Sequence, residues 1–120
     1  MKTTARQWLK KKCLPCEGGV AALKPAEIVR YLRGLRDWRL SGDGKFIRTE
    51  YRMKHFAEAI RLINRCAVIA EKEGHHPDIH LTGYRNLRID LSTHAIGGLS
   101  ENDFILAAKI EQIPKKLKQS

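Results

Sequence analysis

An amphipathic segment from Lys54 to Glu73 lies between two runs that read as β-hairpins, and this arrangement limits the folds open to the chain. Phe56, Ala59, Ile60, Ile63, Ala67 and Ala70 recur at intervals of three and four, so one stripe of the predicted helix faces a sheet. Gly74 ends the helical pattern, and Pro77 prevents it from resuming. Before the helix, Trp38-Arg39-Leu40 and Lys45-Phe46-Ile47-Arg48-Thr49-Glu50-Tyr51 flank the turn Ser41-Gly42-Asp43-Gly44. After it, Asp78-Ile79-His80-Leu81-Thr82 leads to a break at Gly83. A second run follows, in which Leu87, Ile89 and Leu91 alternate with Arg88 and Asp90, the period of a half-buried strand.

Two further helices complete the pattern. Pro25 suits a first helical turn, Ile28, Val29, Tyr31, Leu32 and Leu35 follow near helical spacing, and Gly34 marks the end. Ser100 is a good N-cap, Asp103 completes an acidic variant of the capping box, and an apolar run from Phe104 to Ile110 continues until Pro114. The order helix, strand, strand, helix, strand, strand, helix predicts an α+β two-layer sandwich, a four-stranded antiparallel sheet with helices on one face. A chain of 120 residues makes one domain, expected over residues 23–114. Residues 1–22 lack periodicity and read as a loosely attached basic leader or one short turn of helix, and residues 115–120 as a basic tail.

The formal net charge is +10, with clusters at Lys10-Lys11-Lys12 and at Lys115, Lys116 and Lys118. No recognition-helix or RNA-binding aromatic motif accompanies them, so they read as solvated faces, and nucleic acid is disfavoured as a partner. No apolar run approaches membrane-spanning length and no signal-peptide core opens the chain, so the expected location is the cytoplasm. Three cysteines without such a signal argue against a disulfide framework. Cys13-Leu14-Pro15-Cys16 has ligand or redox spacing but no second pair, and reads first as two structural thiols. Cys66, beside the apolar stripe, reads as a buried small residue.

The chemistry-bearing residues gather after the long helix. His75, His76, His80 and His94 are four of the five histidines. Imidazole titrates closest to neutrality, so such a cluster is equipment for moving protons. A shared metal is disfavoured: adjacent His75 and His76 point to opposite sides of an extended segment, and Pro77 forbids the helix that a His-x-x-x-His pair requires. Glu71 reads equally as a solvated or ion-paired helix residue and as a carboxylate that orients a histidine. Asp103 reads first as a helix cap.

Glu71, His75-His76-Pro77, Tyr84, His94 and Asp103 together match the signature of the pterin-4a-carbinolamine dehydratase family, which the chain resembles from Trp38 onward. The runs Leu91-Ser92-Thr93-His94 and Gly98-Leu99-Ser100-Glu101-Asn102-Asp103-Phe104 add to the resemblance. It implies a hydro-lyase that dehydrates a 4a-hydroxytetrahydropterin to the quinonoid dihydropterin, in tetrahydrobiopterin recycling, with no metal and no redox cofactor. It implies His75, His76 and His94 as catalytic residues, with His76 foremost. Pro77, Thr93, Ala95 and Ile96 would shape the pterin pocket, supported by Glu71, Tyr84 and Asp103. Ile79, Ala95 and Ile96 stand where many relatives carry other side chains, which bears on the preferred pterin. The family implies the same sandwich, assembled as homodimers or homotetramers, and an aromatic amino acid hydroxylase as upstream partner. The alternative it implies is a non-catalytic binding module, such as a Rubisco assembly chaperone or a transcription-factor dimerisation cofactor.

Overall fold

A computed structural model describes residues 5–14 and 21–119. Its elements are α1 (Ala5–Leu9), α2 (Pro25–Leu32), β1 (Arg39–Leu40), β2 (Ile47–Arg52), α3 (Phe56–Glu73), β3 (Asp78–Thr82), β4 (Asn86–Leu91), a 3₁₀ turn (His94–Ile96) and α4 (Glu101–Glu111). The strands form one antiparallel sheet in the order β1-β2-β4-β3, so the two hairpins meet along β2 and β4. Ile47, Thr49 and Tyr51 of β2 and Leu87, Ile89 and Leu91 of β4 point into the core, and the residues between them point outward. The helices cover that inner face, as the sequence predicts. Gly83 (φ 54°) and Tyr84 (φ 56°) make the β3–β4 turn in left-handed backbone.

α3 buries a stripe rotated from the one the apolar spacing predicts, keeping Ala59 and Ala70 of it. The sheet selects Ala59, Leu62, Cys66 and Ala70, all buried, whereas Phe56 is 52% exposed and Ala67 is exposed. Two apolar rows lie about one residue's rotation apart on this helix, and periodicity alone does not rank them. The inner row has the smaller side chains, which let the helix approach the strands closely. Cys66 is buried as expected, and burial pushes its thiol up to about 11.

Both chain ends depart from expectation. Trp8 is 1% exposed, packed edge-on to Tyr31 with ring centroids 5.0 Å apart and tilted against Phe104 at 6.1 Å. The leader is therefore docked over residues 5–14, because α4 is apolar nearly all round and needs cover on its outer side as well. The tail is also held. The Lys54 N–H donates to the Lys116 carbonyl and the Lys118 N–H to the Arg52 carbonyl, both at 2.9 Å. Lys115 is not a solvated charge: its Nζ donates to the carbonyls of Ile110, Glu111 and Ile113 at 2.9, 3.1 and 2.7 Å. It closes the C-terminus of α4, where an ammonium meets orphan carbonyls, and burial lowers its pKa.

Candidate active site

The C-terminus of α3 starts the site. Gly74 takes a left-handed conformation (φ 67°), its N–H donates to the Ala70 carbonyl, and the chain turns off the helix towards β3. His75 and His76 then part as neighbours in extended chain do. His75 is 5% exposed, and its Nε2 lies 2.6 Å from Asp103 Oδ1. His76 is 62% exposed, and its Nε2 lies 2.5 Å from Glu71 Oε2. Glu71 is 76% exposed, and its pair with His76 fits both of its sequence readings, an ion pair on a solvated helix and a carboxylate set to orient a histidine.

Asp103 does two jobs. It is the third residue of α4, and its Oδ2 accepts from the Ser100 N–H at 3.0 Å, closing the capping box. The same oxygen accepts the Thr93 hydroxyl at 2.9 Å, while Oδ1 holds His75. Since Thr93 donates to Asp103, the 2.7 Å contact between the Thr93 and Ser100 hydroxyls runs from Ser100 to Thr93. Ser100 Oγ in turn accepts the Asn102 N–H at 3.2 Å. The result is a buried, directed chain from Asn102 through Ser100 and Thr93 to Asp103, in which each bond polarises the next. A carboxylate fed this way accepts from the imidazole, so His75 donates from Nε2. Sequence reasoning favoured the cap for Asp103, and the structure joins the cap to the histidine.

Strand pairing brings His94 to the same place. β3 and β4 pair Asp78 with Asp90, so continuing the register sets His76 level with Ser92 and His75 level with Thr93, immediately before His94. β2 and β4 pair Ile47 with Leu91, which lays Phe46 and Lys45 along the other side of Ser92 and Thr93. A recess of about 230 Å³ opens there, lined by Asp43, Lys45, Phe46, Thr93, His94 and Gly98 among others. It is smaller than the roughly 300–1,000 Å³ usual for ligand pockets. The contribution of the β1–β2 turn was missed from the sequence, and only the β2–β4 register reveals it. His94, Ala95 and Ile96 form the exposed 3₁₀ turn at the rim, Pro77 is half-buried beside His76, and Thr93 is buried with its hydroxyl turned inward.

Tyr84 is not brought to this cluster. It is exposed at the tip of the β3–β4 hairpin, a full strand length, roughly 17 Å, from the end where the histidines gather. His80 points to the open sheet face, 3.9 Å from Asp90 Oδ2. Larger hollows lie elsewhere, one of about 490 Å³ between the leader, α2 and α4, one of about 480 Å³ on the open sheet face and one of about 520 Å³ between the leader, α3 and Lys109 of α4. The 230 Å³ recess is itself lined by His94 but by neither His75 nor His76, and it is singled out by Thr93, which joins it to the Asp103–His75 pair, rather than by volume. Among the described residues no three His, Cys, Asp or Glu converge as metal ligands. Cys16 lies outside the described residues. Cys13 is buried, and its thiol is pushed up to about 12 by burial and by the nearby Glu73 carboxylate. It is therefore expected to resist alkylation at neutral pH in the folded protein and to react on unfolding. Rapid labelling of the native protein at Cys13 would contradict that.

The chain is thus a two-layer α+β sandwich with three imidazoles at one sheet end, two of them exposed and one bonded to a buried carboxylate. The pterin 4 alpha carbinolamine dehydratase family model matches residues 21–113. The chain is 43% identical over 113 residues to a Nitrosospira multiformis protein assigned provisionally to pterin-4-alpha-carbinolamine dehydratase, covering 94% of this chain and 97% of that one. It is 43% identical over 106 residues to the mitochondrial pterin-4-alpha-carbinolamine dehydratase 2 of Arabidopsis thaliana, covering 86% of this chain and 57% of that one. A solved Brucella melitensis structure, described as a transcriptional coactivator/pterin dehydratase, superposes with a TM-score of 0.71 at 29% identity, over 75% of this chain and 95% of that one. A pterin dehydratase-like RuBisCO assembly factor of the alpha-carboxysome shares the fold, with a TM-score of 0.52 at 22% identity over 63% of this chain and 87% of that one. The chain belongs to the pterin-4-alpha-carbinolamine dehydratase family, a family of lyases.

Proposed function

We propose that this protein dehydrates a 4a-hydroxytetrahydropterin to the quinonoid dihydropterin and water by histidine acid–base catalysis, as a step of tetrahydrobiopterin recycling. The observation that supports this most is the division of labour among the imidazoles: His76 and His94 are exposed at one end of the sheet, and His75 is buried beneath them on Asp103. The reaction needs that division. The bond from C4a to oxygen breaks, hydroxide is a poor leaving group, and a donated proton lets it depart as water. The adjacent ring nitrogen supplies the electron pair for the new C=N bond and gives up its proton, so one proton enters and one leaves. Exposed imidazoles on either side of a ring perform both transfers at neutral pH. His76 is the principal acid–base group, with its ring set by Glu71. His94 works beside it, and His75 with Asp103 fixes the floor. Stopped-flow measurement of 4a-hydroxytetrahydropterin breakdown tests the reading. Acceleration over the spontaneous rate is expected, and a rate equal to the spontaneous one would sink it.

The assembly has its own support. On α3 Phe56, Ala67 and Val68 are exposed with Ile60 half-buried beside them, and β3 is an open five-residue edge. We assign these surfaces to contacts between copies of the chain, in a homodimer or homotetramer. Phe56→Glu is expected to shift the mass in light scattering towards the smaller species without loss of helicity, because a desolvated charge opposes association. An unchanged mass would remove α3 from the interface. The same exposed surface is what a binding role towards another protein would use, and that is the second reading should dehydratase activity be absent.

A further inference from the structure

The chemistry above makes no use of the leader, although the leader is bonded to both elements that supply the His75–Asp103 pair. Lys11–Leu14 crosses from the last residue of α3 to the first turn of α4. The Cys13 N–H donates to Glu73 Oε1 at 2.8 Å. Lys109 Nζ, from α4, donates to Glu73 Oε2 and to the Lys11 carbonyl, both at 2.7 Å. The Leu14 N–H donates to Asn102 Oδ1 at 2.9 Å, and Asn102 Nδ2 donates back to the Leu14 carbonyl at 2.7 Å. Burial pushes the Glu73 carboxyl up, but the Lys109 ammonium and the Cys13 N–H outweigh it and hold the group below its usual range, so it remains a charged acceptor. Glu73 precedes His75 by two residues, and Asn102 precedes Asp103 directly.

We propose that Asn102 and Glu73 are positioning residues for the His75–Asp103 pair, which they fix by clamping the leader as a strap across the joint between α3 and α4. Asn102 couples the two halves within one residue. Its side chain makes a two-point bond to the Leu14 backbone, and its own N–H starts the chain through Ser100 and Thr93 to Asp103. The strap matters because His75 follows the end of α3 whereas Asp103 lies in α4, and the backbone hydrogen bonds within either helix do not fix the distance between them. A shift of about 1 Å at that joint is enough to cost up to roughly 10²-fold in rate. The kinetic consequence rests on the dehydratase reading, whereas the coupling of strap to histidine does not.

The test compares Asn102→Ala, Leu14→Pro, Glu73→Ala and Glu73→Gln in the full chain. Leu14→Pro removes one strap donor at a side chain that is 62% exposed, so it leaves the core intact even if Asn102→Ala fails to fold. Two quantities are read: kcat and KM for 4a-hydroxytetrahydropterin, and solvent exchange of the His75 ring proton by NMR with isotope-labelled histidine. Asn102→Ala and Leu14→Pro are expected to lower kcat about tenfold with KM changed less than about twofold, and to speed ring-proton exchange about tenfold. Glu73→Gln, which keeps an acceptor for the Cys13 N–H, should recover at least about half of what Glu73→Ala loses. A folded Asn102→Ala or Leu14→Pro protein with wild-type kcat and wild-type exchange would overturn the proposal. A wild-type protein without dehydratase activity would overturn the functional reading alone, and ring-proton exchange in Leu14→Pro would still decide the strap.

Discussion

Replacing His76 with alanine is expected to slow dehydration by about 10²–10⁴-fold while the protein melts as the wild type does, because a placed proton donor or acceptor is worth that much in rate. The side chain is 62% exposed, and its bond to Glu71 is a surface pair worth about 0–1 kcal/mol to the fold. The loss should fall on kcat rather than KM, since an imidazole that transfers a proton acts in the transition state. Glu71→Gln should cost less, about 10–100-fold at most, because the ring stays in place and loses only its orienting charge. Stopped-flow kinetics on both variants, with circular dichroism melts alongside, separates these expectations. A folded His76→Ala protein at the wild-type rate would take the acid–base role away from His76 and give it to His94.

What the sequence disclosed and what it hid divide along the range of the interactions. Gly74, Pro77 and Gly83 act within a few residues of themselves, so the helix end and the hairpin turn could be placed before any contact was known. The capping box at Ser100 and Asp103 is local in the same way. Trp8 was hidden because one aromatic in an aperiodic segment has no pattern, and its partners Tyr31 and Phe104 are distant in sequence. The stripe of α3 was half legible: the helix was certain from spacing, but only the sheet chooses Leu62 and Cys66 over Phe56 and Ile63. Lys45 and Phe46 reached the site through β2–β4 register, which no local rule sets. Tyr84 shows the converse, a residue included by resemblance that this fold holds a strand's length from the histidines.

Asp103→Ala is expected to destabilise the protein by at least about 3 kcal/mol, because it strands three buried donors at once. Asp103 is fully buried, and its loss leaves the His75 Nε2–H, the Thr93 hydroxyl and the Ser100 N–H without their acceptor, each a buried donor costing about 1–3 kcal/mol when unpaired. Asp103→Asn separates the structural part from the chemical part. Its amide oxygen still accepts from Thr93 and Ser100, so the cap and the fold should lose less. Its NH₂ then faces His75 Nε2, which must become the acceptor, and the ring proton moves to Nδ1. The alanine variant should therefore fail mainly in denaturant titration, and the asparagine variant mainly in kcat, as carboxylate-to-amide changes do where a histidine depends on its partner for tautomer. If Asp103→Ala unfolds at the wild-type denaturant midpoint, the buried chain from Asn102 to His75 is not what holds α3 and α4 together at this joint. If Asp103→Asn keeps full activity, the tautomer of His75 does not matter to the reaction, and the floor of the site serves only the fold.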